Sequence, residues 1–193
     1  MTTFEGPPLT SPGCPAPSTM GAFLDEVTSR FGSRDAVVLD DPLLGGATVR
    51  WTYERLGEES RRTARALLAA GVEVGDTVAI VMGNRPEALA AIFGAALAGA
   101  VAAPISTFAT RPELQALVER CGPRVLLTQS RLLDRDLGAD VAAVAEAGSG
   151  TAWVAVLGAP SWDDLLAGAT DVPEAAVRER AGRVSPEDPA LVI

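Results

Sequence analysis

The stretch that decides the fold is residues 75–128, GDTVAIVMGNRPEALAAIFGAALAGAVAAPISTFATRPELQALVERCGPRVLLT. Apolar runs of strand length alternate in it with segments of helical period; the runs are 77–82, 101–105 and 125–128. The second helical segment carries apolar side chains at i, i+3, i+4 and i+7, namely Leu114, Leu117, Val118 and Cys121. Strands that are apolar throughout, joined by amphipathic helices, predict βαβ units and an α/β fold with a parallel sheet covered by helices on both faces.

The segments on either side extend this pattern. On the C-terminal side we expect a helix over 136–146, a strand over 153–157 and a short helix capped by Ser161. On the N-terminal side we expect a helix from Met20 to Gly32, a β-hairpin with strands at 36–39 and 47–51, and a long helix over 53–70. Residues 169–189 show no clear period, and residues 190–193 form an apolar run of strand type. Asn84 with Glu87, and Thr110 with Glu113, have the spacing of capping boxes.

Domain organisation follows from composition. Residues 1–18 are rich in Pro, Thr, Ser and Gly, so we expect a disordered arm there, followed by one domain over 19–193. The final apolar run has no turn or polar finish, which we interpret as an N-terminal domain that is truncated and prone to self-association through its open edge. Cys14 and Cys121 have no redox or metal spacing, and no apolar run is long enough for a membrane span, so the sequence predicts a cytoplasmic protein.

Charge and missing residue types exclude several classes of function. The 193 residues contain 25 acidic side chains and 16 basic ones, all Arg, with no His and no Lys. The net charge of −9 argues against nucleic-acid partners, which require a basic face. Without imidazole or ammonium groups the chain has no His-assisted nucleophile, no His metal ligand and no phosphate-loop Lys. The chain is therefore poorly equipped for most enzyme chemistry, and we expect no metal-binding residue in it.

An ordered series of short motifs nevertheless resembles a known family. The segment WTYERL at 51–56, the strand and helix at 75–87, and the segment LAGAVAAPI at 97–105 are similar to successive core motifs of the adenylate-forming (AMP-binding) superfamily. Residues 111–117 and 123–128 continue the likeness, and 185–193 resemble the approach to that family's phosphate-binding loop. The continuation Pro104-Ile105-Ser106-Thr107 departs from the usual second motif and favours bacterial acyl-CoA synthetases over peptide-synthetase adenylation domains.

The resemblance implies an ATP-dependent acid–CoA ligase. In a complete enzyme of this type, ATP, Mg and CoA act with a carboxylic acid, which is adenylated and then transferred to a thiol. In such enzymes the phosphate-binding loop and the catalytic Lys follow the part that this chain resembles. The resemblance therefore implies an N-terminal fragment that has no catalytic or cofactor-binding residue of its own and is inactive by itself. Two alternatives remain at this point: the start of a peptide-synthetase-type adenylation domain, and a complete flavodoxin-like binding or signalling module. The acid substrate, the acceptor and the oligomeric state are not encoded in recognisable motifs.

One loop is a candidate site. Ser106, Thr107 and Phe108 follow the strand at 101–105, at the carboxyl end of a predicted parallel strand, where α/β folds bind ligands. In similar acyl-CoA synthetases the equivalent loop lies beside the thiol path, so the resemblance implies that these residues line a thiol or acyl path. The alternative is structural, with Phe108 packed against the base of the following helix.

Overall fold

The computed structural model of the protein describes residues 19–41, 46–147 and 150–193. The predicted arm at 1–18, with Cys14, lies outside the described residues. The helices are α1 (Met20–Phe31), α2 (Tyr53–Ala69), α3 (Pro86–Leu97), α4 (Arg111–Cys121), α5 (Leu137–Glu146), α6 (Pro160–Ala167) and α7 (Glu174–Ala181). The strands are β1 (Asp35–Asp41), β2 (Ala47–Thr52), β3 (Thr77–Val81), β4 (Val101–Pro104), β5 (Val125–Gln129), β6 (Arg131–Leu132), β7 (Arg135–Asp136) and β8 (Trp153–Leu157). The predicted alternation of strands and helices is confirmed.

The central sheet is parallel throughout. Its four strands lie in the order β4-β3-β5-β8, and each neighbouring pair runs in the same direction. The predicted hairpin is also confirmed, because β1 and β2 pair antiparallel, with Val38 opposite Arg50. The fold class is therefore the predicted one: a parallel sheet with flanking helices, preceded by a β-hairpin.

The end of the chain joins this sheet beside β4. Leu191 forms a parallel bridge to Ala102, whose N–H donates to the Ala190 carbonyl at 3.0 Å and whose carbonyl accepts from the Val192 N–H at 2.9 Å. A flavodoxin-like sheet has the strand order 2-1-3-4-5, in which β4, β3, β5 and β8 would be strands 2, 1, 3 and 4. Its fifth strand would therefore lie next to β8 and not next to β4. The pairing at Leu191 therefore argues against the flavodoxin-like alternative.

Alternating side chains of each strand serve two separate cores. In β3, Ile80 packs with residues of α1, α2, α3, α6 and α7, whereas Val81 packs with residues of α4 and α5. Both side chains are at most 2% exposed. Both faces of the sheet are thus dry, which explains why the strands are apolar throughout and show no period of two.

α2 and α3 approach each other closely at Gly94. A Cβ placed on Gly94 would lie 2.8 Å from Cβ and from Cγ2 of Thr63, and 3.1 Å from the Ser60 carbonyl oxygen. Thr63 and Ser60 bond back to the α2 carbonyls of Glu59 and Leu56, so their hydroxyls are satisfied within their own helix. A glycine is therefore what lets the two helices meet.

Two predicted helix caps are wrong, for one reason. α3 is capped by Arg85 and not by Asn84, and α6 by Ala159 and not by Ser161. In both helices the first residue is proline, which pushes the residue before it into extended backbone and so sets the helix boundary there. The Ser161 hydroxyl instead accepts from the Val156 N–H at 3.1 Å. The capping box at Thr110 is confirmed.

Candidate functional site: the carboxyl edge of the sheet

The parallel strands deliver their following loops to one edge of the sheet. The predicted site residues Ser106, Thr107 and Phe108 lie there, separated from the end of β4 only by Ile105. The loops after β3 and β5 lie beside this position because β3 pairs with both β4 and β5. The topology therefore brings three chain segments together where α/β proteins bind ligands.

The loop at 106–109 is a tight turn with an exposed aromatic ring. The Ser106 hydroxyl accepts from the Phe108 N–H at 3.2 Å, and the Ser106 carbonyl accepts from the Ala109 N–H at 3.1 Å. The Phe108 side chain is 88% exposed. This exposure argues against the alternative in which Phe108 packs against the base of α4, because the turn directs the ring into solvent.

A capping box fixes the start of α4 immediately after this turn. One carboxylate oxygen of Glu113 accepts from the N–H and from the hydroxyl of Thr110, each at 2.8 Å. These two hydrogen bonds, the backbone one foremost, lower the pKa of Glu113 because they stabilise its ionised form. The downstream end of the candidate loop is consequently anchored.

Two arginines and one carboxylate hold the loop from the side. Nη1 of Arg135 donates to the Thr107 carbonyl at 2.7 Å, and Nε of Arg135 donates to Asp140 Oδ2 at 2.8 Å. Arg111 donates through Nε and Nη2 to Asp140 Oδ1, at 3.0 and 2.8 Å. Hydrogen bonds from Arg111 and then from Arg135 hold the pKa of Asp140 below its usual value. The network links α4, β7 and α5 to the backbone of the candidate loop.

A buried amide ties the neighbouring loops together. Gln129, the last residue of β5, is fully buried; its Oε1 accepts from the Gly83 N–H at 2.8 Å and its Nε2 donates to the Arg131 carbonyl at 2.6 Å. The Gly83 N–H after β3 is thus already engaged. Leu132 also lies against Gly83, since a Cβ there would be 3.4 Å from Leu132 Cδ1.

We call residues 130–136, which contain β6 and β7, the clip. The clip contacts the loop after β3 through Leu132 and the loop after β4 through Arg135. Neither the clip nor Arg135, Asp140 and Gln129 were predicted from the sequence. The only signal was a polar residue, Gln129, at the end of an otherwise apolar strand.

An apolar groove opens at the same edge. It has a volume of about 340 Å³ and lies between β1 and α3, with Val38, Leu39, Met82, Leu89 and Pro104 among its lining residues. Val38 is 52% exposed. The hairpin therefore presents an apolar surface next to the loop after β3.

Neither a metal site nor a membrane segment is found in the described part of the chain. Magnesium, which the resemblance implies for a complete enzyme, has no candidate ligand set there: residues 19–41, 46–147 and 150–193 contain no group of three Asp, Glu, Cys or His side chains suited to a metal ion. Within the same ranges, no helix has the length and apolar character needed to cross a bilayer.

Comparison with known proteins adds an independent line of evidence. The family described as "AMP-binding enzyme" matches residues 24–193. Acyl-CoA ligase SID4 of Ajellomyces capsulatus is 32% identical over 119 residues, which are 62% of this chain and 19% of that protein. Long-chain-fatty-acid–CoA ligase FadD13 of Mycobacterium tuberculosis is 38% identical over 79 residues, which are 41% of this chain and 16% of that protein. The matches thus span less than a fifth of these curated relatives.

A solved structure shares the fold. The crystal structure of the N-terminal domain of FACL13 from Mycobacterium tuberculosis superposes with a TM-score of 0.60 at 25% identity. The superposition covers 91% of this chain and 39% of that one.

Proposed function

The chain belongs to the AMP-binding enzyme family, and from this membership we propose that it is the N-terminal part of an ATP-dependent acid–CoA ligase. The observation that carries the proposal is the family match over 24–193, supported by curated relatives that are acyl-CoA and fatty-acid–CoA ligases. In the complete enzyme, a substrate carboxylate would attack the α-phosphorus of ATP and release pyrophosphate. The thiol of CoA would then attack the acyl carbon and release AMP, leaving a thioester.

The role of this stretch in that reaction is to build one wall of the site. Adenylation needs cations placed on the phosphates as charge shifts to the leaving pyrophosphate. The chain has no Lys, and Arg111 and Arg135 at the candidate edge are already bonded to Asp140. We therefore propose that residues 1–193 alone do not activate acids.

Acid-dependent exchange between ATP and radiolabelled pyrophosphate tests this proposal. We expect exchange from the complete enzyme and none above the no-acid blank from residues 1–193. Exchange by the 193-residue chain would refute its inactivity. No CoA ester from any acid in a broad carboxylic-acid panel with the complete enzyme would refute the ligase assignment, and transfer to a carrier protein instead of CoA would establish the adenylation-domain alternative.

The loop at 106–108 is our candidate for a wall of the thiol or acyl path. It lies at the carboxyl edge of β4, Arg135 holds its backbone at Thr107, Glu113 anchors Thr110 just after it, and its Phe108 ring is exposed to a ligand. Such a wall should affect the second half-reaction more than the first. Its substitution should therefore separate the two steps.

Thr107→Trp in the complete enzyme tests the loop. We expect slower CoA-ester formation with little change in pyrophosphate release during acyl-adenylate formation. Val74→Trp is the matched control, since Val74 is 55% exposed and precedes β3, so it lies at the amino ends of the strands, away from the candidate loop. Equal losses in both steps, or no loss in either, would show that the loop is structural.

A further inference from the structure

The clip is hydrogen-bonded to the candidate loop through the Arg135 side chain. Arg135 is the member of the clip that bonds to the loop backbone, and its guanidinium joins two groups from different elements: the Thr107 carbonyl and the Asp140 carboxylate. Its side chain is 29% exposed and that of Asp140 is 16% exposed. Because the guanidinium is planar and its hydrogen bonds are directional, a shift of either partner would break a bond. Arg135 therefore fixes the position of the loop backbone relative to Asp140.

The clip itself is fixed to the rest of the edge. Gln129 accepts from Gly83 and donates to Arg131, so its buried amide joins the end of β3 to the start of the clip. The Ser130 carbonyl accepts from the Gly138 N–H at 3.0 Å at the start of α5, and β6 pairs with β7. Arg135 therefore extends from a base that is bonded to β3, β5 and α5.

We propose that Arg135 is a positioning residue for the CoA step: it holds the loop at 106–109 in the place from which that loop meets the thiol substrate. The proposal rests on the ligase function proposed above. Arg135 acts through the Thr107 backbone and not by touching the substrate. Asp140 and Arg111 support it by fixing the other side of the guanidinium.

The direction in which Asp140→Asn changes the KM for CoA distinguishes a positioning role of Arg135 from a simple attraction between Arg135 and an anionic substrate. Asp140→Asn removes a negative charge beside Arg111 and Arg135, so the local field becomes more positive. If the arginines only attracted the phosphates of CoA, the KM for CoA would fall. If Asp140 holds Arg135 in place, the KM for CoA rises, because Arg135 loses a charge-assisted partner.

Steady-state and single-turnover kinetics of the complete enzyme form the first experiment. We expect Arg135→Ala to raise the KM for CoA about tenfold, the scale of one lost hydrogen bond to a charged group, while single-turnover formation of the acyl-adenylate is unchanged. We expect Asp140→Asn to raise the same KM by a smaller factor. Arg131→Ala is the matched control, because it removes an exposed guanidinium from the same clip and leaves the link to Thr107 intact.

Hydrogen exchange on this chain is the second experiment and requires no activity. Arg135→Ala should speed exchange of the Phe108 and Ala109 amides several-fold, because the turn loses its outside support, and Arg131→Ala should not. Unchanged exchange at these amides, a lower KM for CoA in Asp140→Asn, or equal losses in both half-reactions would each overturn the positioning role. A complete enzyme that makes no CoA ester would refute the proposed function instead, and the exchange experiment would still decide whether Arg135 positions the loop.

Discussion

The close contact between α2 and α3 gives a prediction whose sign depends on one distance. Alanine at position 94 would place its Cβ 2.8 Å from two side-chain carbons of Thr63 and 3.1 Å from the Ser60 carbonyl oxygen. In a helix interior, alanine is otherwise favoured over glycine by about 1 kcal/mol. Helix propensity and packing therefore make opposite predictions for Gly94→Ala.

Packing should prevail. Inserting a group into a filled core costs about 1–3 kcal/mol, and the upper end applies here because Thr63 Cβ is tied directly to the α2 backbone and cannot rotate away. Subtracting the propensity gain leaves a net loss of about 2 kcal/mol in the free energy of unfolding. For a chain of this size, a loss of that order lowers Tm by about 4–8 °C.

Urea and thermal unfolding followed by circular dichroism would measure the change. Ala142→Gly is a suitable calibration, since Ala142 is a half-buried position in α5 and reports the propensity term in this protein. We expect it to lose about 1 kcal/mol. A Gly94→Ala variant that is more stable than the parent would show that α2 and α3 do not meet as described.

Three further predictions concern the loop network and the two ends of the chain. Asp140→Asn should lower the free energy of unfolding by about 1 kcal/mol at pH 7, as expected for partly exposed ion pairs. Because the pKa of Asp140 is lowered in the folded state, this difference in stability from the parent should persist above the unfolded-state pKa of about 4 and disappear as the pH falls through the folded-state pKa. Urea melts in which the difference stays the same between pH 7 and pH 2 would contradict this. Leu191 and Val192 are 41% and 48% exposed, so the 193-residue chain should self-associate and Val192→Lys should reduce this; a parent that elutes as a monomer at every concentration in size-exclusion chromatography would count against an open edge. A chain beginning at Thr19 should melt at the same temperature as the longer one, because residues 1–18 have few large apolar side chains to bury; a clear drop in its calorimetric Tm would show that the arm packs.

The fold was predictable because its signals are local and repeated. Each strand of the parallel sheet is an uninterrupted apolar run, and each long helix has an apolar stripe, so strand type and order along the chain could be read directly. The helix α7 was missed because Val177 is its one buried residue and its other residues are charged or alanine, so it shows no clear apolar stripe. It lies against α2 and α3, where Val177 and Ala181 pack on the core that those helices form.

The location of the candidate site could be predicted from the sequence, but the side chains that hold its loop could not. The carboxyl end of β4 follows from topology, and so Ser106, Thr107 and Phe108 could be singled out. The side chain that holds the loop from outside comes from 28 positions away, since Arg135 bonds to the Thr107 carbonyl. The strands of the clip are two residues each, too short for any period, and a single buried amide such as Gln129 has no spacing that distinguishes it from a surface one.

The pairing of Leu191 with Ala102 sets a schedule for folding during synthesis. The outer side of β4 can pair with Leu191 only after about 90 further residues have been synthesised. At about 5–20 residues per second, this takes roughly 5–18 s on the ribosome. Throughout that interval the backbone of a buried, alanine-rich strand stays available to other chains. The translation rate between β4 and residue 190 should therefore influence the yield of correctly folded protein. A chaperone that binds unpaired nascent strands would act at this stage.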